Sequence, residues 1–162
     1  MNEVLIALGG NLGDVELAFF RARLLLRSEL VDVRMSRLYR TDPVYDKPGA
    51  TVPPDPVPAY LNAVMRAGTF LEPQSLLVRL LETERQLGRV RPAPECSPRT
   101  IDLDLLLYND SVLKPEQPGD LELPHPRMHQ RRFVLEPACD VAPGWIHPVL
   151  GKTLKDLLAQ LG

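Results

Sequence analysis

The stretch GRVRPAPECSPRTIDLDLLLY, residues 88–108, contains a turn-rich basic half followed by a strand pattern. Apolar side chains recur at every second position of the strand, at Ile101, Leu103, Leu105 and Leu107. Asp102 and Asp104 stand between them. Because side chains two apart on a β-strand share a face, the pattern predicts one aliphatic face and an opposite face with two neighbouring carboxylates.

Two neighbouring carboxylates repel each other unless a cation lies close to both. Hard divalent cations prefer oxygen ligands, and Mg²⁺ is usually held by one or two carboxylates together with substrate phosphates. The basic half supplies Arg89, Arg91 and Arg99, whose guanidinium groups suit phosphate oxygens. We therefore predict a Mg²⁺–nucleotide site here; a structural network of buried aspartates and arginines is the alternative that the same residues allow.

The composition of the 162-residue chain, with 44% hydrophobic and 25% charged residues, is typical of one globular domain with a core. The net charge of −2 gives no general attraction to nucleic acid or to an anionic membrane. Basic residues nevertheless cluster in segments 79–99 and 125–132, which favours a small anionic ligand. Two cysteines, no long apolar run and no signal-peptide pattern predict a cytoplasmic protein without a disulfide framework.

The first half of the chain has a strand–helix–strand pattern. The apolar run Glu3–Leu8, ended by two glycines, predicts a strand buried on both faces. Asp14 is a favourable N-cap for an amphipathic helix over 15–28, and the alternating segment Val31–Tyr39 predicts a second strand.

The second half repeats the pattern, with a strand over 59–71, a helix over 73–87 and the strand that contains the two aspartates. A short hairpin over 111–123 and a closing helix that ends near Leu161 follow. The order predicts an α+β, ferredoxin-like βαββαβ fold: an antiparallel sheet with helices on one face and extra C-terminal elements. We expect a single domain over residues 1–162, with flexible loops near 45–58 and 90–98; the first is a binding loop or a tolerated surface insertion.

Two further features have a structural and a functional interpretation. Glu84 falls on the apolar stripe of the second helix, where a carboxylate needs a partner, and an arginine of the basic segment is the expected one. His125 and His129 are four residues apart, but no glutamate occupies the position that a zinc protease motif requires. We therefore expect phosphate contact rather than zinc in this segment.

Together these segments resemble one family, the 6-hydroxymethyl-7,8-dihydropterin pyrophosphokinases of folate biosynthesis. The matching stretches cover nearly the full length and are ALGGNLGD (7–14), SRLYRTDPV (36–44), YLNAV (60–64), LETERQLGRVR (81–91), PRTIDLDLLLY (98–108), LPHPRMHQRRFVLEP (123–137) and HPVLGKTL (147–154). The resemblance implies pyrophosphate transfer from ATP to the pterin hydroxymethyl group, with release of AMP.

By position, the resemblance also implies roles for individual residues. Those expected to be catalytic are Arg89, Arg99, Asp102 and Asp104, and the two aspartates are the expected ligands of two Mg²⁺ ions. ATP contacts are expected from Glu84, Arg89, Arg91, Arg99, Ile101, His125 and Arg131. Pterin contacts are expected from Asn11, Thr41, Pro43, Val44, Tyr60, Asn62 and Phe133, with Asn62 on the pterin edge and Phe133 stacked on the ring.

The expected partners are therefore small molecules, ATP and the dihydropterin, with no nucleic acid, no membrane and a monomeric protein. Two other functions stay open. One is a different Mg²⁺-dependent nucleotidyl or phosphoryl transferase, which product identity would separate from a pyrophosphokinase. The other is a ferredoxin-like RNA-binding module, which the low aromatic content of 6% and the acidic face of the sheet disfavour.

Overall fold

The computed structural model describes residues 1–42, 49, 58–89 and 99–162. The strands are β1 (Asn2–Gly10), β2 (Val31–Met35), β3 (Tyr39–Thr41), β4 (Tyr60–Thr69) and β5 (Asp102–Tyr108). The helices are α1 (Val15–Leu25), α2 (Pro73–Gln86), α3 (Arg132–Val141) and α4 (Leu154–Gln160), with a short 3₁₀ helix at Met128–Gln130. Pro43, Val44 and Arg91, and the predicted loops near 45–58 and 90–98 apart from Gly49 and Pro58, lie outside the described residues.

The sheet has the order β2-β4-β1-β5, with β3 also paired to β4, and these pairs are antiparallel. The predicted ferredoxin-like α+β fold is confirmed. The sequence-predicted strand Val31–Tyr39 is divided, because Ser36 takes over part of the pairing: its hydroxyl accepts from the Val64 N–H at 2.9 Å. The following Arg37 N–H donates to Asp140 instead of to the sheet.

Both faces of the sheet are covered. One face packs against α1 and α2 through Val4, Ile6, Leu8, Phe19, Leu76 and Leu80. The opposite face packs against the C-terminal elements through Leu5, Val64, Leu106, Met128, Leu135 and Leu157. The central strand β1 contributes to both cores, as its continuous apolar sequence predicted.

Strand β1 also continues through Gly9 and Gly10, whereas the sequence placed the end of the strand before them. Both glycines pair with β4, Gly9 with Asn62 and Gly10 with Leu61. Gly10 is required by close approach, because a Cβ there would lie 2.6 Å from the Thr100 carbonyl oxygen. The helix that follows has the expected cap, since Asp14 Oδ1 accepts from the Leu17 N–H at 3.0 Å.

A bulge in β5 makes one part of the predicted alternation wrong. Ile6 pairs with Leu105 but the next β1 residue, Leu5, pairs with Leu107, so Leu106 is an extra residue. The extra residue reverses the face to which the next side chain points. Leu107 therefore packs in the core beneath the C-terminal helices instead of the core beneath α1 and α2. Leu103 and Leu105 keep the predicted face.

The C-terminal third contains one helix that the sequence did not predict. Helix α3 includes Pro137, which removes a backbone donor and obscures the helical pattern. The predicted hairpin over 111–123 closes with reciprocal backbone hydrogen bonds between Leu113 and Leu123. Within the described ranges, none of the helices combines the length and apolarity needed to cross a bilayer.

Candidate active site

A row of three paired residues forms the floor of the site. Gly9 on β1 pairs with Asn62 on β4 and with Asp102 on β5, so all three point to the same face of the sheet. Neighbouring strands are about 4.8 Å apart, which places the Asn62 and Asp102 backbones roughly 10 Å from each other. Gly9 has no side chain, so the floor between Asn62 and Asp102 is open.

The second carboxylate stands one pleat further along β5. Asp104 pairs with Ala7 and shares its face with Asp102, while Leu103 between them is buried in the opposite core. Both aspartates are half-buried. The structure therefore brings the two carboxylates side by side on one face, in the arrangement that the alternation predicted.

Two arginines converge on Asp102. Arg89 Nη2 lies 3.7 Å from Asp102 Oδ1, and Arg99 Nη1 donates a hydrogen bond to Asp102 Oδ2. Only 8% of the Arg89 side chain and 15% of the Arg99 side chain are exposed. Burial disfavours the charge on Arg99, but the charge of Asp102 and its hydrogen bond outweigh burial and raise the pKa of Arg99 above its ordinary value. Arg99 is therefore a cation held in place within the site.

The start of β4 contributes the opposite end of the floor. Asn62 is buried, and its Nδ2 atom donates a hydrogen bond to Thr41 Oγ1 at 2.6 Å. The Oδ1 atom lies towards Gly9, 3.4 Å from the position that a Cβ on Gly9 would take. Tyr60 lies two residues before Asn62 on β4, and the Arg99 guanidinium carbon lies 5.9 Å from the centre of its ring.

The segment after the hairpin reaches the same face. The His125 backbone N–H donates to the Leu106 carbonyl at 2.9 Å, next to the acidic part of β5. The His125 Nδ1 atom accepts from the Arg127 N–H at 3.2 Å, so the neutral imidazole carries its proton on Nε2. In this tautomer, the Nε2–H group can donate a hydrogen bond to a group outside the loop that contains His125.

Arg131 immediately precedes α3, and Phe133 lies in its first turn. The Arg131 guanidinium carbon lies 5.4 Å from the centre of the Phe133 ring. Phe133 is half-buried and packs against the core that contains Val64, two residues from Asn62 on the same face of β4. An aromatic ring and a cation thus stand on the helix that covers the Asn62 side of the sheet.

Helix α3 is fixed to the sheet edge by Asp140. Its carboxylate accepts from the Arg37 backbone N–H at 3.1 Å, from the Arg37 side chain at 2.9 and 3.2 Å, and from the Tyr39 hydroxyl at 2.8 Å. The hydrogen bonds from Arg37 hold the pKa of Asp140 below its usual value, against the effect of burial. Tyr39 pairs with Asn62, so this contact ties α3 to the floor of the site.

Two of the sequence-predicted residues lie behind the floor. Glu84 is 1% exposed, and its Oε2 atom accepts from the Leu103 N–H at 2.8 Å. It therefore supplies the buried edge of β5 with an acceptor between the two aspartates. The Ile101 side chain is fully buried in the core beneath α1 and α2. ATP contacts from these two residues stay predictions, and for Ile101 only the backbone is placed to make one.

Asn11 lies at the end of the site where β1 leaves the sheet. It is 8% exposed, and its amide bonds to the backbone of Pro58 and Arg99. Gly9 is a residue of the site that sequence reasoning missed, since the predicted strand ended before it. The register between β1, β4 and β5 was needed to find it.

The carboxylates of the site offer oxygen ligands of the kind that Mg²⁺ prefers. Among the described residues, no three His, Cys, Asp or Glu side chains come together as a protein-only metal cage. Asp102 and Asp104 offer carboxylate oxygens on one half-buried face, and Mg²⁺ commonly takes one or two carboxylates and completes its shell with water and phosphate. The residues therefore fit Mg²⁺ that arrives with a nucleotide.

A family model described as 7,8-dihydro-6-hydroxymethylpterin-pyrophosphokinase (HPPK) matches residues 5–143. The chain is 37% identical over 158 residues to a 2-amino-4-hydroxy-6-hydroxymethyldihydropteridine pyrophosphokinase of Synechocystis sp., covering 96% of this chain and 74% of that protein. It is 40% identical over 149 residues to the protein of the same name from Porphyromonas gingivalis, covering 90% of this chain and 93% of that protein.

The fold is also similar to that of a larger solved protein. The crystal structure of Plasmodium falciparum HPPK-DHPS wild type with SDX-DHP matches with a TM-score of 0.76 at 18% identity. The match covers 98% of this chain and 44% of that chain, so this chain corresponds to less than half of the larger protein. At this identity, the likeness bears on the fold alone.

Proposed function

The chain belongs to the 7,8-dihydro-6-hydroxymethylpterin-pyrophosphokinase family and is a pyrophosphokinase of folate biosynthesis, and we propose that its two substrates bind at opposite ends of the Asn62–Gly9–Asp102 floor. The enzyme transfers a pyrophosphoryl group to the hydroxymethyl group of 6-hydroxymethyl-7,8-dihydropterin. ATP supplies the group at the Asp102 end, and the pterin ring lies at the Asn62 end.

The observation that carries the proposal is the convergence of Arg89 and Arg99 on Asp102, beside Asp104. Cations and carboxylates held together at low exposure form a site that is complementary to a metal-bound polyphosphate. Asp102 and Asp104 would hold Mg²⁺. When bound, two such ions would neutralise phosphate charge and lower the pKa of the attacking hydroxyl group.

In the transfer, one bond forms and one bond breaks. The pterin hydroxymethyl oxygen attacks the β-phosphorus of ATP, the bond from that phosphorus to the α,β-bridging oxygen breaks, and AMP leaves with the bridging oxygen. The hydroxyl proton passes to solvent. Because phosphoryl transfer needs little covalent work from the protein, the tasks of Arg89 and Arg99 are to hold the phosphates in line and to offset developing charge.

The remaining nucleotide contacts come from the C-terminal segment and the basic loop. His125 donates from Nε2, and Arg131 contributes a charge at the start of α3. Arg91 is proposed as a further phosphate contact. Glu84 and Ile101 are proposed to lie near the nucleotide. Glu84 also supports β5 through its hydrogen bond with the Leu103 N–H, and the Ile101 side chain packs in the core.

The pterin end uses the amide of Asn62 and the ring of Phe133. With its nitrogen bonded to Thr41, Asn62 presents Oδ1 as an acceptor for N–H donors on the pterin edge. Phe133 supplies an aromatic face for stacking. Thr41 and Tyr60 border this end, and Pro43 and Val44 are proposed to complete it.

Calorimetric titration with a non-hydrolysable ATP analogue, with and without Mg²⁺, followed by the dihydropterin, tests the proposal. We expect Mg²⁺-dependent nucleotide binding and then binding of the pterin to the loaded protein. Product analysis with ATP separates the alternatives: AMP and a pyrophosphorylated pterin support the proposal, while release of pyrophosphate indicates a nucleotidyltransferase. Salt-dependent RNA binding without pterin binding would support the nucleic-acid module.

The proposal also includes a single domain over residues 1–162, a monomeric state, a cytoplasmic location and no nucleic-acid partner. A net charge of −2 supports the last of these. Light scattering of the purified protein, with and without both substrates, tests the oligomeric state directly. A mass of twice 18.2 kDa would overturn the monomer.

A further inference from the structure

We propose that Asn11 is a positioning residue that holds the backbone at Arg99, and through it the guanidinium group that faces the phosphates. This inference rests on the proposed function, because it needs Arg99 to act on the nucleotide. It assigns Asn11 a role other than the pterin contact that the family resemblance implies.

Four hydrogen bonds join the end of β1 to its surroundings. Asn11 Oδ1 accepts from the Arg99 N–H at 2.9 Å, and the backbone N–H groups of Asn11 and Leu12 both donate to the Arg99 carbonyl, at 3.0 and 3.1 Å. The Asn11 Nδ2 atom donates to the Pro58 carbonyl at 3.0 Å. Both backbone polar groups of Arg99 are thus bonded to one short segment.

The preceding glycine makes this contact possible. A Cβ on Gly10 would lie 2.6 Å from the Thr100 carbonyl oxygen and 3.2 Å from the Thr100 carbonyl carbon. These are backbone atoms, which cannot move aside as a flexible side chain would. Gly10 and Asn11 therefore form one surface on which residues 99 and 100 rest.

The amide also connects the two ends of the site. Pro58 lies two residues before Tyr60, and Arg99 lies three residues before Asp102. Asn11 therefore fixes the chain on both sides of the Arg99–Tyr60 contact, whose centre-to-centre distance is 5.9 Å. An arginine has several rotatable bonds, so a fixed backbone reduces the freedom that must be lost when the guanidinium group engages a phosphate.

The bonds of the amide favour positioning over ligand contact. One acceptor site on Oδ1 and one donor on Nδ2 are bonded to the backbone, and 8% of the residue is exposed. A positioning residue acts only through the residue that it positions. Removing Asn11 must therefore have little further effect once the Arg99 side chain is gone.

A double-mutant cycle with N11A, R99A and the double variant tests this dependence through kcat and KM. We expect N11A to lower kcat by about 10- to 100-fold, R99A to lower it further, and the double variant to match R99A. Losses that multiply, or a normal kcat in N11A, overturn the positioning role while the proposed function stands. A normal kcat in R99A overturns both.

A second variant keeps the test valid if N11A folds poorly. In N11D, an ionised carboxylate opposes the Pro58 carbonyl, whereas the protonated acid again offers a donor. We expect the kcat of N11D relative to the unsubstituted enzyme to rise as pH falls, and the ratio for N11A to stay flat. A flat ratio for N11D contradicts the role of the Asn11–Pro58 bond.

Asn109 provides a matched control at the far end of the same strand pair. Its Oδ1 atom accepts from the Glu3 N–H at 2.8 Å, and its Nδ2 atom donates to Asn2 at 3.0 Å. Its φ of 48° suits glycine, so N109G removes the side chain without backbone strain. N109G should lower thermal stability without changing kcat; a loss of kcat as large as that of N11A would attribute the effect to general destabilisation.

Discussion

Asp102 and Asn62 are paired with the two sides of the same residue, Gly9, and so point to the same face of the sheet with one residue between them. One end is charged and the other is a neutral amide that is hydrogen-bonded to Thr41. A site with this division suits a substrate pair made of a polyphosphate and a hydrogen-bonding heterocycle.

Replacing Asp104 with Asn or Ala should lower kcat by at least about 100-fold, because the change removes a proposed metal-ligating charge. Nucleotide binding should lose its dependence on Mg²⁺, which calorimetry measures. D110N is a suitable control, since Asp110 is an exposed carboxylate just after the same strand. Near-normal Mg²⁺-dependent turnover in D104A would remove Asp104 from the metal site.

Asn62→Ala should raise the dissociation constant of the pterin by about 10- to 100-fold, since a buried hydrogen bond contributes about 1–3 kcal/mol when its loss leaves a partner unsatisfied. Nucleotide affinity should stay unchanged. Thr41→Val should have a smaller effect in the same direction, because it releases the amide of Asn62, and Thr41→Ser should be close to normal. Equal losses for nucleotide and pterin would contradict the division of the site.

Enlarging Gly9 should close the floor. A Cβ at Gly9 meets Asn62 Oδ1 at 3.4 Å, an ordinary contact, so G9A should fold normally and bind both substrates less tightly. G9V adds two methyl groups between the ends of the site and should abolish detectable binding, while a β-branched residue remains compatible with a strand. Thermal unfolding provides the folding control, and normal substrate affinity in a folded G9V would show that the floor is not occupied.

The contact of Asp140 with Arg37 and Tyr39 predicts a pH-dependent stability. A carboxyl group with a lowered folded-state pKa stabilises the fold above its unfolded pKa of about 4, and this contribution is lost as pH falls through the folded value. D140N should therefore be less stable by about 1–2 kcal/mol at pH 7. The difference should shrink as the pH falls below the unfolded-state pKa of about 4 and towards the lower folded-state pKa.

Urea unfolding at several pH values measures this difference, with D110N as the control that should show no such convergence. Because Asp140 holds α3 against β3, D140N should also weaken pterin binding through Phe133. A stability difference that does not depend on pH would contradict an ionised Asp140 as the group responsible.

Local periodicity was enough to predict the βαββαβ order of the core and the acidic face of β5. The spacing of Asp102 and Asp104 is a property of adjacent residues, and it survives any arrangement of the rest of the chain. Helix α3 escaped prediction because Pro137 lies inside it, and Leu107 was placed on the wrong face because a bulge leaves no periodic signal.

The sequence predicted which residues gather around the aspartates, but not which of them contact each other. Three arginines near two carboxylates indicated a phosphate site, yet only the structure directs Arg89 and Arg99 to Asp102. Glu84 was expected to pair with an arginine, which stays a prediction; the partner found for its carboxylate is the backbone N–H of Leu103. Such contacts join segments separated by many residues, and sequence spacing says little about them.

The sequence by itself determined that Asp102 and Asp104 share a face, where charge accumulates and the βαββαβ order of the core elements, because these follow from short-range patterns along the chain. The tertiary structure alone decided that Gly9 lies between Asn62 and Asp102, that Asn11 holds Arg99, and that Asp140 fixes α3. These relationships depend on strand register and on packing between distant segments. Register follows from burial of whole faces and from closure of the connecting loops, and neither can be read from one segment of the chain.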